Sequence, residues 1–375
     1  VVGRQCFLGV LKSAWIGLVD LVFMIEVEFM NGVPLERIDI FKDHFLRCGV
    51  TNKDVVAVLA ETQSRKELVN TVEQAIKKIG SKFATTVVPT PLNYGPVPIR
   101  STGASLAIDG NQSVIADLAA TTFVVDCTVE GLLHAPERDQ ILKDGTRILM
   151  ISNEHPEVFD RIGHDPTLTE RVENGVNRLS SASIMRVSSE AGTDLTVDLK
   201  GAQVAGSDGI AREPGEISHW PGGLVLCFPD AASVNGTVVM KPGDVNLTFK
   251  EYLRSTISIK IESDYITEID GDGLDADLFS SYLAAWKEED AYAVSHLGWG
   301  MNHLCRWDAL PMYDKSDFNG TELRAFAGNF LWSTGANEVA GRFCRGHFDL
   351  PMRDCSVILD NNPVVESGTL IEDLT

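Results

Sequence analysis

The hydrophobic pattern alternates between two periods over the first half of the chain. Residues 54–60 form a short, nearly continuous apolar run of the kind shown by a strand buried on both faces. The spacing then becomes helical. Leu68, Val72, Ala75, Ile76 and Ile79 fall on one stripe, and Gly80 supplies a stop. Ser64 followed by Glu67 reads as a capping box at the start of that helix. The same alternation predicts strands at 83–88, 123–126 and 147–151, with helices at 113–120 and 136–143 between them. Strand and helix in turn imply a parallel sheet covered on both faces. No G-x-G-x-x-G or phosphate-loop pattern accompanies the strands, so a nucleotide site is not indicated.

A helix over 167–180 links to a different kind of sequence. Short β-rich runs at 184–188, 194–199, 224–228, 237–240, 257–261 and 265–269 are punctuated by Gly and Asp, as in antiparallel sheets. Helices are expected at 274–287 and 323–330. The expected fold is therefore α/β plus α+β. A Rossmann-like parallel-sheet domain spans 30–165, and a β-rich, mostly antiparallel domain spans 166–375. Residues 1–29 are expected to be an extension or leader. Their apolar stretch at 13–24 is interrupted by Asp20 and is too short for a membrane span, which needs about 20 apolar residues.

Charge narrows the partners. With 32 basic and 53 acidic residues among 375, the formal net charge is −21. Such a surface repels phosphate backbones and anionic lipid, which argues against nucleic-acid or membrane partners. Small neutral substrates and metal cations remain. The seven cysteines include no C-x-x-C pair, so neither a disulfide framework nor a zinc knuckle is suggested. Reduced thiols fit a cytoplasmic protein.

The eight histidines carry the candidate chemistry. His347 and Asp349 are two apart, so in a strand they share a face and could hold one metal, or they could form a surface hydrogen bond. Ser295-His-Leu-Gly-Trp-Gly300 reads as a tight turn at a strand end, its two glycines allowing a close backbone approach. His134 follows the third predicted strand, at the sheet edge where ligands of open α/β sheets bind; it could equally be a helix-entry residue. His219 lies beside Trp220 in a loop and could line an aromatic pocket or form a turn. The acidic run at 270–277 fails the calcium-loop pattern, and His303 with Cys305 lacks the partners of a zinc set.

Taken in order, Leu132-Leu-His-Ala-Pro-Glu-Arg-Asp, Glu213-Pro-Gly, His219-Trp-Pro, Ser295-His-Leu-Gly-Trp-Gly300, Arg324-Ala-Phe-Ala-Gly-Asn-Phe-Leu-Trp-Ser-Thr-Gly335 and His347-Phe-Asp-Leu-Pro-Met-Arg353 closely resemble the 2,5-dihydroxypyridine 5,6-dioxygenases, relatives of the M29 aminopeptidase fold. The resemblance runs from about residue 30 to the C-terminus. It implies a mononuclear Fe(II) held by His296, His347 and Asp349, a facial set that leaves positions for substrate and O₂. It further implies catalytic roles for His134 and His219. The substrate pocket would include Leu133, Trp299, Arg324 and Trp332, with Trp307 and Phe330 as further flat surfaces, although each of these four aromatic residues could equally belong to the core. The implied reaction cleaves a neutral hydroxypyridine between C5 and C6 with both atoms of O₂, in a homo-oligomeric enzyme. The segment at 301–306, which contains His303, departs from the family pattern. Two other activities compete: ring cleavage of another hydroxylated N-heterocycle, or an M29-type metallopeptidase drawing on Glu213 and Glu216.

Overall fold

The computed structural model describes residues 29–30, 32–92, 105–317 and 319–374. The leader expected at 1–29 therefore lies almost wholly outside the described residues.

The first half builds a five-stranded parallel sheet in the order Ile217–His219, Arg147–Met150, Phe123–Asp126, Val55–Glu61, Lys82–Val88. Alternation along the interior strand Val55–Glu61 explains its continuous apolar run. Val56, Val58 and Ala60 pack beneath the helices Leu35–Arg47 and Lys66–Ile79. Ala57 and Leu59 pack on the opposite face, with Ile115, Leu118 and Ile141 of Gln112–Ala119 and Arg138–Leu142. The expected capping box is not formed. The Ser64 hydroxyl accepts from the Glu61 N–H at 2.7 Å and donates to the Cys127 carbonyl at 2.7 Å, so it ties two strand ends together. The helix starts at Lys66 without a side-chain cap. The edge strand Ile217–His219 comes from beyond residue 165, and Trp220, Leu224 and Leu331 join the same core.

The second half is antiparallel, as the β-rich runs predict. One sheet has the order Arg342–Met352, Phe330–Asn337, Val294–Gly300, Leu224–Phe228, Gln203–Ser207. An eight-stranded sheet has at its centre Val234–Met240, Asp194–Asp198, Ile184–Ser189 and Cys355–Leu359. The largest core cluster joins the two sheets with apolar residues of Leu168–Ser181 and Leu274–Trp286.

Two expectations are corrected. The segment at 323–330 is not one helix. A short helix, Thr321–Ala325, ends where Asn329 Nδ2 donates to the carbonyls of Leu323 and Arg324, and Phe330 opens a strand. The segment at 295–300 is not a turn but part of a fully buried strand, Val294–Gly300. Its glycines serve close approach to other backbone. A Cβ on Gly298 would lie 1.9 Å from the Val225 carbonyl oxygen, and one on Gly300 would lie 2.1 Å from that of Phe326. Among the described residues, no helix is long and apolar enough to cross a membrane, and the six cysteines there are free.

Candidate metal centre and its cavity

Three neighbouring parallel strands end at one place. After Phe123–Asp126 the chain turns into the segment carrying Leu133 and His134; Met150 ends the second strand and His219 the third. All four residues line a cavity of about 470 Å³, counting its open mouth. This is the carboxyl edge of the sheet, where α/β proteins bind ligands. The Asp126 carboxylate shapes the turn by accepting from the N–H groups of Thr128 at 2.9 Å and Leu132 at 2.8 Å. Arg138 Nη1 donates to the Leu133 carbonyl at 2.7 Å and fixes the stretch just before His134.

The five-stranded antiparallel sheet forms the opposite wall and contributes His296, Leu331, His347 and Asp349. His296 lies on Val294–Gly300, while His347 and Asp349 lie on Arg342–Met352; one strand, Phe330–Asn337, runs between them. In register, Ser333 faces Asp349 and Gly335 faces His347. Residues paired in this way point to the same face of the sheet. The small side chains of the middle strand therefore leave room for two imidazoles and a carboxylate to meet above it. Ser333 also holds the strands together, since its hydroxyl accepts from the His296 N–H at 3.0 Å and donates to the His296 carbonyl at 3.2 Å. From the other side, Thr248 and Tyr282 hydroxyls both donate to the His347 carbonyl, at 3.1 and 3.2 Å.

The side chains converge. His296 Nε2 lies 3.4 Å and His347 Nε2 lies 3.3 Å from Asp349 Oδ1. Yet Oδ1 is buried and has no hydrogen-bond partner, so the imidazoles are not aimed at it as donors. Ligands about 2.1 Å from one metal ion stand roughly 3.0–3.4 Å apart. Three lone-pair-bearing atoms buried at that spacing fit a cation between them. His134 completes a third histidine around the same space: the ligand nitrogens of His134, His296 and His347 lie within 4.8 Å of one another. The His134 and His347 rings are 5.2 Å apart between centroids.

Electrostatics favour the ligand form of His296, His134 and Asp349. Burial pushes the His296 pKa down to about 3, although the Asp349 charge opposes the shift. Burial also lowers His134 well below its ordinary range, and the neighbouring His347 and His296 add to this. Burial alone would raise the Asp349 carboxyl, but the Arg324 guanidinium and His347 hold it well below the usual carboxylate range. His219 is pushed down to about 4, chiefly by burial. Its Nδ1 sits 3.1 Å from the Pro221 carbonyl, which can only accept, so Nδ1 carries the proton and Nε2 a lone pair.

Leu133 and Arg324 do line the cavity, but Trp299 and Trp332 do not. Both tryptophans are fully buried in the core on the other side of the sheet, together with Phe330. The reason is strand parity. Trp299 is an odd number of residues from His296, and Trp332 pairs with Leu350 rather than with Asp349. Trp307 belongs to a separate small cluster with Leu310 and Leu323. The apolar walls are instead Leu133, Met150, Leu224, Leu226 and Leu331. Asn319, Thr321 and Ser333 were not anticipated as parts of the site. The alternation in the quoted stretch Phe-Leu-Trp-Ser-Thr-Gly335 carried the signal for Ser333 and Leu331. Glu213 and Glu216 stay outside the cavity; Glu216 turns its carboxylate onto the N–H groups of Arg212 and Glu213. His303 is exposed and Cys305 is buried in the core of the parallel-sheet half.

A profile of the 2,5-dihydroxypyridine 5,6-dioxygenase family (NicX) matches residues 36–372. The 2,5-dihydroxypyridine 5,6-dioxygenase of Pseudomonas putida is 36% identical over 335 residues, covering 88% of this chain and 94% of that protein. The solved structure of 2,5-dihydroxypyridine dioxygenase from Pseudomonas putida KT2440 superposes with a TM-score of 0.84 at 33% identity, covering 90% of this chain and 97% of the other. AmpT from Thermus thermophilus shares the fold, with a TM-score of 0.62 at 13% identity over 90% of this chain and 99% of its own. Family profile, relative and superposition agree with the ordered motifs along the sequence: the chain belongs to the 2,5-dihydroxypyridine 5,6-dioxygenase family.

Proposed function

We propose that this enzyme opens the ring of 2,5-dihydroxypyridine between C5 and C6 with both atoms of O₂, yielding N-formylmaleamate. The observation that carries the reading is the meeting of His296 Nε2, His347 Nε2 and the unpartnered Asp349 Oδ1 at one wall of a cavity whose other wall carries His134 and His219. Two neutral imidazoles and one carboxylate are the donor set of non-haem ferrous oxygenases, so we assign these three residues as ligands of Fe(II). Bound by these residues, Fe(II) would supply the activation of O₂ for insertion into the ring.

The chain's own residues do the rest. The leucines and Met150 offer apolar walls that would exclude water from a flat ring. His134 is held neutral and faces the ligand cluster, so it can take the proton of a substrate hydroxyl. Loss of that proton enriches the ring in electrons before it meets O₂. His219 presents Nε2 as an acceptor, suited to a second hydroxyl or the ring N–H. A neutral substrate meets no repulsion from a chain of net charge −21. The same reading takes the enzyme to be a cytoplasmic homo-oligomer, as its relatives' resemblance implied and its free thiols permit.

The test is anaerobic Fe(II) loading, then mixing with 2,5-dihydroxypyridine and air. The expected result is loss of ring absorbance with one O₂ consumed per ring. Iron-loaded protein that consumes no O₂ with this substrate refutes the assignment. Faster turnover of a different hydroxylated N-heterocycle moves it to that substrate.

A further inference from the structure

The two oxygens of Asp349 have different surroundings. Oδ1 faces His296 and His347 and takes no hydrogen bond. Oδ2 accepts from Arg324 Nε at 2.7 Å, the length of a charge-assisted bond. The guanidinium is itself held elsewhere. Its Nη1 donates to Asn319 Oδ1 at 2.8 Å and to the Asn319 backbone carbonyl at 3.3 Å. Asn319, Arg324 and Asp349 are each at most 9% exposed, so the planar fork sits between fixed partners. The helix Thr321–Ala325 that carries Arg324 is anchored in turn, because Asn329 Nδ2 donates to the Arg324 carbonyl at 2.9 Å.

We infer that Arg324 and Asn319 are positioning residues for the metal, reserving Oδ2 so that Asp349 offers the ion one oxygen and not two. The inference rests on His296, His347 and Asp349 being the ligands. A carboxylate with both oxygens free can chelate through the pair. At a six-coordinate ion, His296, His347 and a chelating Asp349 would together take four positions and crowd substrate and O₂ into the remaining two. A single oxygen leaves three. Arg324 thus acts through Asp349, which differs from simply forming a wall against the substrate.

The test measures Fe(II) affinity of the metal-free full chain by anaerobic chelator competition, without pyridine or O₂. The variants are Arg324→Lys and Asn319→Ala, which both preserve net charge and so read geometry. Partners that orient a metal-binding carboxylate are typically worth about 10–100-fold in affinity, and a loss in that range is expected for Arg324→Lys, with about 10-fold for Asn319→Ala. Metal affinity within about two-fold of the parent in both variants, with KM raised in Arg324→Lys, makes Arg324 a substrate wall and overturns the inference. Circular dichroism and thermal melting check folding; if Arg324→Lys does not fold, Asn319→Ala decides alone. Parent protein that binds Fe(II) but leaves the pyridine untouched refutes the proposed reaction, while the affinity series still decides the clamp.

Discussion

His219 offers a perturbation whose size follows from the structure. It ends the strand Ile217–His219, buried at the cavity wall, with Nδ1 on the Pro221 carbonyl. Burial pushes its pKa down from 6.5 to about 4, against a smaller opposing effect of that hydrogen bond. A folded pKa below the unfolded one means that the unfolded chain takes up the proton first. The neutral ring therefore costs nothing above pH 6.5, and stability is lost as pH falls from 6.5 towards 4. Integrated between pH 7 and pH 5, the shift corresponds to about 2 kcal/mol. His219→Gln keeps an N–H for the Pro221 carbonyl and removes the titration. Urea unfolding of the metal-free protein at pH 7, 6 and 5 stays above the isoelectric point near 4.7. The stability of the parent minus that of the variant should fall by about 2 kcal/mol across this range, the other titrating groups cancelling in the difference. Parallel curves, or a difference that grows as pH falls, would refute the buried neutral imidazole.

Other outcomes follow from the same geometry. His296→Ala and Asp349→Asn should each abolish iron retention, read by metal analysis after gel filtration, and with it oxygen uptake. His134→Gln should keep its iron and lose about 10²–10⁴-fold in turnover, the usual worth of positioned proton transfer; turnover at the parent rate removes His134 from the chemistry. Trp332→Ala should cost about 3–5 kcal/mol of stability in urea unfolding, as core truncations of large aromatics do. Because Trp332 packs away from the cavity, the folded variant should keep the parent KM; a KM raised well above the parent value at unchanged stability would return Trp332 to the substrate wall.

Much of this protein was legible in one dimension. The run at 54–60 gave an interior strand because the side chains from Val56 to Ala60 meet apolar atoms alternately on its two faces. Helical spacing located Lys66–Ile79, and two-residue spacing put His347 and Asp349 on one face of Arg342–Met352. Even the close approach at Gly298 and Gly300 was readable as a need for missing side chains, although its partner turned out to be the chain's own backbone. Local signals failed where long-range contacts set the outcome. Ser64 had two buried partners to satisfy and left the helix uncapped, and Asn329 ended a helix that propensity would have carried through to Phe330. Spacing also could not show that a strand from beyond residue 165 would complete the parallel sheet and bring His219 to its edge. The metal centre depends on which strands are neighbours. His296 meets His347 and Asp349 only because Phe330–Asn337 lies between their strands and presents Ser333 and Gly335 beneath them. Residue types and periods are properties of a segment, whereas register and adjacency are settled by the packing of the whole sheet. The sequence therefore determined which side chains could bind and react, and tertiary structure decided that they share one buried space.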